Sequence, residues 1–174
     1  MDKKEVKIES ETIYDGKVIH VRKDKVLCPN GNTSFREIVD HHGGVGILAF
    51  VGTKVILVKQ YRYAYEEEMY EIPAGKMELN EEPIVTGARE LEEETGYHAD
   101  KLEYLGKMYP SCGYTNEIIY LYLAKDLKKE ETHFDDDEVI DTYYIEYEEV
   151  LQMIKEGKIT DAKTICAIQF YQNR

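Results

Sequence analysis

Residues 75–97, GKMELNEEPIVTGARELEEETGY, decide how the rest of the chain is read. Five residues separate Gly75 from Glu81, and a further seven separate Glu81 from the run Arg89-Glu90-Leu91. Glu93, Glu94, Gly96 and Tyr97 close the stretch. Pro83 suits a first helical turn, where its missing N–H would have had no partner. Gly96 suits the position just past a helix end, where a left-handed backbone is needed. The spacing therefore predicts one helix over 82–95.

At about 100° per residue, Glu90, Glu93 and Glu94 fall in one arc, because they stand at i, i+3 and i+4. Ile84, Ala88, Leu91 and Thr95 form a second stripe, expected to face a core. Like charges at this spacing destabilise a helix, and an interior Gly87 costs about 1 kcal/mol relative to Ala. Gly87 projects between the stripes, where another backbone or a ligand could come close. A helix that tolerates both penalties reads as a site rather than a scaffold. The carboxylates have two readings, a solvated acidic face or a cluster of hard oxygen donors for a divalent cation.

The stretch resembles the Nudix box, the signature of hydrolases acting on nucleoside diphosphates linked to another moiety. Gly75, Glu81, Arg89, Glu90, Leu91, Glu93, Glu94 and Gly96 all match its defining positions. Tyr97 fills the final slot, where a large aliphatic residue is usual. The resemblance runs from about Ile13 to the C-terminus and is nearest to the ADP-ribose pyrophosphatase branch.

Composition is ordinary for a globular protein, with 43% hydrophobic and 33% charged residues. The 174 residues suffice for one domain that buries roughly 70% of its unfolded surface. A net charge of −13 argues against nucleic acid or an anionic membrane as partner. It also sets a problem for a phosphorylated substrate, which bound cations would solve. Cys28, Cys112 and Cys166 are scattered and odd in number, so no disulfide framework or zinc pattern emerges. The polar start MDKKEVKIES shows no signal peptide, and no apolar run approaches the ~18 residues that span a bilayer. A soluble, cytoplasmic protein is expected.

Residues 4–40 read as strands, with Pro29-Asn30-Gly31-Asn32 as a hairpin turn that takes positive φ at Asn30 and Gly31. Gly43-Gly44 breaks the chain before two apolar strands, 45–51 and 54–60, expected to be buried on both faces. In QYRYAYEEEMYEIPAGKME, the alternation places Tyr61, Tyr63 and Tyr65 on one face and Arg62 on the other. The tyrosines suit either base stacking or strand packing. Residues 102–109 and 117–124 read as further strands, and 141–147 as a closing strand. A helix over 148–156 ends at Gly157, and a second is capped by Asp161. Ala162, Ile165, Cys166 and Phe170 are its expected core stripe. Cys112 has no visible partner to lower its pKa and reads as structural.

The resemblance adds expectations of its own. It implies an α/β Nudix fold, a mixed sheet sandwiched between helices, with an N-terminal antiparallel sheet appended. Residues 1–174 would form a single Nudix hydrolase domain, with 1–42 as a small dimerisation sheet and 43–174 as the catalytic core. Glu90, Glu93, Glu94 and the Ala74 carbonyl would ligate Mg2+, with Mn2+ as a possible substitute. Arg89 would orient Glu93. In the run His133-Phe134-Asp135-Asp136-Asp137-Glu138, Asp137 and Glu138 would supply the catalytic base or a further ligand, with Asp135 as the alternative. Tyr14, Arg36, Glu37, Arg62 and Glu117 would contact substrate. The branch usually carries a Ser-Pro-Gly run beyond the box, and Cys112 stands where its proline belongs, with Pro110 two residues earlier. The implied reaction is metal-assisted hydrolysis of ADP-ribose, or a similar nucleoside diphosphate sugar, to AMP and ribose 5-phosphate by a homodimer. The alternatives are another nucleoside diphosphate conjugate or dinucleotide, and a non-catalytic domain that senses ADP-ribose.

Overall fold

A computed structural model describes residues 3–129 and 140–174. In order, the elements are β1 (Val6–Asp15), β2 (His20–Leu27), β3 (Thr33–Asp40), β4 (Gly44–Leu48), β5 (Phe50–Val51), β6 (Lys54–Arg62), β7 (Glu67–Glu71) and β8 (Ala74–Lys76). Then follow α1 (Pro83–Thr95), β9 (Tyr97–Met108), β10 (Ile119–Lys129), β11 (Asp141–Glu146), α2 (Tyr147–Lys155) and α3 (Ala162–Gln172). They fall into two compact units, Met1–His42 with Tyr109–Glu117, and Gly43–Met108 with Ile118–Arg174.

The first unit is the antiparallel sheet β1-β2-β3. Its hairpin turn sits at residues 29–32 as expected, closed by Gly31 N–H to Cys28 O at 2.9 Å. Only Gly31 takes positive φ, at 84°. Asn30 does not need it, because its side-chain oxygen accepts the Asn32 N–H at 3.0 Å and forms an Asx turn. The loop 109–117 joins this unit through Val39, whose N–H donates to Tyr114 O at 2.7 Å. Asn116 adds bonds to the His41 N–H and the Asp40 carboxylate.

The second unit contains a four-stranded mixed sheet, β8-β4-β10-β9, in which only β4 and β10 run parallel. A second, antiparallel sheet has the order β11-β6-β5, with β7 also paired to β6. Strands β4, β6 and β10 are buried on both faces, and side-chain alternation sorts their residues into two cores. Leu48, Val55, Leu57, Leu121 and Leu123 pack with Val150 and Met153 of α2 and with Ala167 and Ile168 of α3. Val45, Ile47, Ile56, Tyr122 and Ala124 pack with Leu91 of α1. Helices on opposite faces of the strands give the α/β sandwich that the sequence leads one to expect.

Three local readings change. β6 stops at Arg62, so the tyrosine alternation stops there too. Residues 63–66 close the β6–β7 hairpin, with Glu66 at φ 57° and its N–H on Arg62 O, leaving Tyr63 and Tyr65 exposed in the turn. In α3 the buried residues are Lys163, Thr164, Ala167 and Ile168; of the expected stripe, Ile165 and Cys166 pack half-buried against the core, while Ala162 and Phe170 are exposed. Lys163 and Thr164 enter the core because their polar ends are satisfied there, as described below. In α1, Ile84 is exposed and Ala88 only half-buried, and the buried face is Thr86, Gly87, Leu91, Glu94 and Thr95. That face is centred near Gly87, about 60° around the helix from Ile84. Gly87 makes it so, since a methyl group there would stand 3.1 Å from Val45 and 3.4 Å from Leu102. The closely approaching groups are sheet side chains, neither a backbone nor a ligand.

Candidate active site

Helix α1 starts at Pro83 and ends at Gly96, whose φ of 66° directs its N–H to Glu92 O at 2.8 Å. The loop before it is tied by Glu81, which accepts the Glu78 N–H at 3.0 Å. That bond, with contacts from Thr86 and Arg89, holds the Glu81 carboxyl below its ordinary pKa. Because the helix turns its Gly87 side to the sheet, the acidic arc and the buried arc overlap. Glu94 is almost fully buried, Glu90 has 13% of its side chain exposed and Glu93 33%.

Each carboxylate has its own anchor. Glu94 accepts the Ala74 N–H at 3.0 Å. Glu90 lies against Gly75, where any Cβ would overlap its carboxylate. Arg89 gathers the rest: its Nη1 stands 2.8 Å from Glu90 and 2.9 Å from Glu93, and its Nε 3.5 Å from Glu81. Burial alone would lower the Arg89 pKa, but the Glu90 charge and the bonds to Glu81 and Glu93 outweigh it and raise the value. The expected bond from Arg89 to Glu93 is thus present, and Arg89 binds two further acids of the box.

This donor set suits a hard divalent ion. Every group is an oxygen donor, and one guanidinium nitrogen already brings Glu90 and Glu93 to a common cation. As placed, no three acidic, His or Cys side chains among the described residues converge tightly enough to enclose an ion. The side chains are instead turned onto Arg89 and the Ala74 amide. Glu90, Glu93, Glu94 and Ala74 of the same unit are the residues that would hold the metal.

Arg62, also in this unit, makes a fork to Glu71, with both bonds at 2.6 Å. Glu71 is 2% exposed, and Lys163 of α3 binds its second oxygen. Burial pushes the Glu71 carboxyl upward, yet the bonds and charges of Arg62 and Lys163 prevail and lower it. Sequence reasoning missed Glu71, Lys163 and Thr164. The available signal was Lys163 itself, the single charged residue in an otherwise uncharged helix, AKTICAIQFYQ.

The other expected substrate contacts belong to the first unit. Tyr14 lies exposed on β1 and Glu37 exposed on β3. Arg36 is engaged with Glu5, Ser34 Oγ at 3.1 Å and Phe35 O at 2.8 Å. Glu117 stands 3.5 Å from His41. Cys112 is exposed and carries a free thiol. Asp135, Asp137 and Glu138 lie outside the described residues. No helix among the described residues is long and apolar enough to cross a membrane.

Comparison with known proteins shows the family. Residues 40–168 match the NUDIX domain, and residues 5–39 match the nucleoside diphosphate sugar hydrolase N-terminal domain. A methanol dehydrogenase activator of Bacillus methanolicus is 46% identical, covering 95% of this chain and 91% of its own. An ADP-ribose pyrophosphatase of Bacillus subtilis (strain 168) is 44% identical with the same coverage. The crystal structure of an ADP compounds hydrolase superposes with a TM-score of 0.87 over 98% of this chain and 93% of that one, at 20% identity. With the box intact and its carboxylates anchored on Ala74, Gly75 and Arg89, the chain belongs to the Nudix family and is a Nudix pyrophosphohydrolase.

Proposed function

We propose that the protein hydrolyses the diphosphate of ADP-ribose to AMP and ribose 5-phosphate in the presence of Mg2+, with Mn2+ as a substitute. The observation that carries the proposal is the junction of Glu90, Glu93 and Glu94 with Arg89 and the Ala74–Gly75 strap. Glu90, Glu93, Glu94 and the Ala74 carbonyl would hold the ion. A divalent ion there, when bound, offsets the diphosphate charge, activates water and stabilises charge that develops in the transition state. Arg89 fixes Glu90 and Glu93 relative to each other, and the Ala74 N–H fixes Glu94. Asp137 or Glu138 would take the proton from the attacking water. Tyr14, Arg36, Glu37, Arg62 and Glu117 are the proposed substrate contacts. ADP-ribose as substrate is supported by the 44% relative.

The test is release of AMP from ADP-ribose with and without Mg2+, alongside other nucleoside diphosphate sugars and dinucleotides. Selective, metal-dependent AMP release is expected. Turnover of another conjugate alone would move the substrate, and tight ADP-ribose binding without turnover would make the chain a sensor. Glu93→Gln and Glu94→Gln variants that both kept full metal-dependent activity would overturn the mechanism.

The working form is proposed to be a cytoplasmic homodimer, with the chain acting as one catalytic domain. β1 is exposed along its whole length, and Val6, Ile8, Ile13, Tyr14 and Phe35 leave apolar surface open on its sheet. A monomeric mass in light scattering at micromolar concentration would refute the dimer. The 46% relative favours a second reading, activation of a partner dehydrogenase. An increase in the rate of an alcohol dehydrogenase on adding this protein would support it.

A further inference from the structure

The residues just before the box are tied to the far end of the chain. Lys163 Nζ reaches the buried Glu71 carboxylate and stands 3.1 Å from Asp161 Oδ1. Asp161 Oδ2 accepts the Thr164 N–H at 3.0 Å and the Thr164 hydroxyl at 2.6 Å. The same hydroxyl accepts the Ile72 N–H at 2.8 Å, which returns the chain of bonds to the neighbour of Glu71. With Arg62 forked onto Glu71, two cations and two carboxylates form a closed polar network. Its members are satisfied by one another, which is what makes the burial of Glu71 and Lys163 tolerable.

Every residue of the strap 71–75 is then pinned. Glu71 and Ile72 are held by α3 and Arg62. Pro73 O accepts the Ile47 N–H at 2.8 Å. Ala74 N–H donates to Glu94, and Gly75 is the floor under Glu90. Ala74 and Gly75 are also paired to Gly46 and Val45 of β4, so the sheet sets their register while the network at Glu71 and Ile72 holds the segment that leads into them.

We infer that Lys163 and Thr164 are positioning residues for the metal site, acting through Glu71, Ile72 and the strap. They touch neither metal nor substrate. Their role is to hold the backbone at the depth where Ala74 meets Glu94 and Gly75 meets Glu90, the groups that would hold the ion. This inference rests on the proposed metal-dependent hydrolysis.

The test measures Mn2+ binding directly, by electron paramagnetic resonance titration of the full chain, with thermal melts in parallel. Lys163→Met keeps the stem and removes the charge, and Thr164→Val keeps the shape and removes the acceptor of the Ile72 N–H. Each is expected to weaken Mn2+ binding by about ten-fold or more, the usual effect of losing support behind metal ligands. Ile168→Ala, buried in the same helix but outside the network, serves as a control that lowers the melting temperature and leaves Mn2+ affinity unchanged. If Lys163→Met fails to fold, Thr164→Val decides alone. Folded variants that bind Mn2+ within two-fold of wild type overturn the inference while the hydrolase reading stands. A wild-type chain that binds no Mn2+ and hydrolyses nothing overturns both.

Discussion

Gly75→Ala separates the stability of this fold from its chemistry. A methyl group at that position overlaps the carboxylate of Glu90, so the Glu90 side chain must leave its place. The backbone does not resist the change, because Gly75 is not among the glycines with positive φ. Glu90 gives up, among its interactions, the 2.8 Å contact with Arg89, and Arg89 keeps Glu81 and Glu93. Arg89 and Glu93 are each about a third exposed, so loss of the Arg89 contact costs about 1 kcal/mol, roughly 2–4 °C in Tm for a chain of this size. The functional loss is larger. Displacing one proposed metal ligand should cost at least the ten- to hundred-fold typical of disturbed support residues, or about 1.4–2.7 kcal/mol of binding. The assay is a Mg2+ titration of ADP-ribose hydrolysis beside a thermal melt. The expected result is an activation constant shifted at least ten-fold with Tm lowered by only a few degrees. An unchanged activation constant in a folded variant would refute the placement of Glu90 at the metal. A fall in Tm above about 10 °C would refute the claim that only a flexible side chain yields.

Other outcomes follow from the same geometry. Leu91→Ala, at a fully buried position between α1 and the sheet, should cost about 2–5 kcal/mol, read as a lower denaturation midpoint in urea. The Glu71 carboxyl is held below its ordinary value of 4.5, so its contribution is fully present above that pH and fades as pH falls through the lowered folded value. Glu71→Gln should therefore be less stable at neutral pH, by about 3–5 kcal/mol if the network fails to close. Its stability should also fall less steeply than wild type between pH 4.5 and lower values. An acid limb identical to wild type would show that another group governs it. Asp161→Ala removes the cap of α3 and an acceptor for Lys163, and should lower stability by at least the ~1 kcal/mol of a lost cap.

How far the sequence could be read depends on the range of the forces involved. Local steric rules fixed the ends of α1, because proline at a first turn and glycine past a helix end act within a few residues of themselves. Alternation and continuous apolar runs marked β4 and β6 as buried on both faces, because side-chain direction in a strand has period two. The box spacing likewise brought Arg89 to Glu93, a contact decided within one helical turn. The roll of α1 was not legible, since it depends on Val45 and Leu102 meeting Gly87. A helical wheel ranks residues by polarity and cannot know which face has room to descend. For the same reason the wheel places Glu94 in one arc with Glu90 and Glu93 and does not show that it is buried on the Ala74 amide. Lys163 and Thr164 were invisible as core residues, because their partners Glu71 and Ile72 lie some ninety positions away. Sequence alone determined the family signature, which is a set of particular residues at short spacing. Tertiary structure alone decided how deeply each donor is buried and what holds it there, because burial is set by surfaces that meet only once the chain has folded.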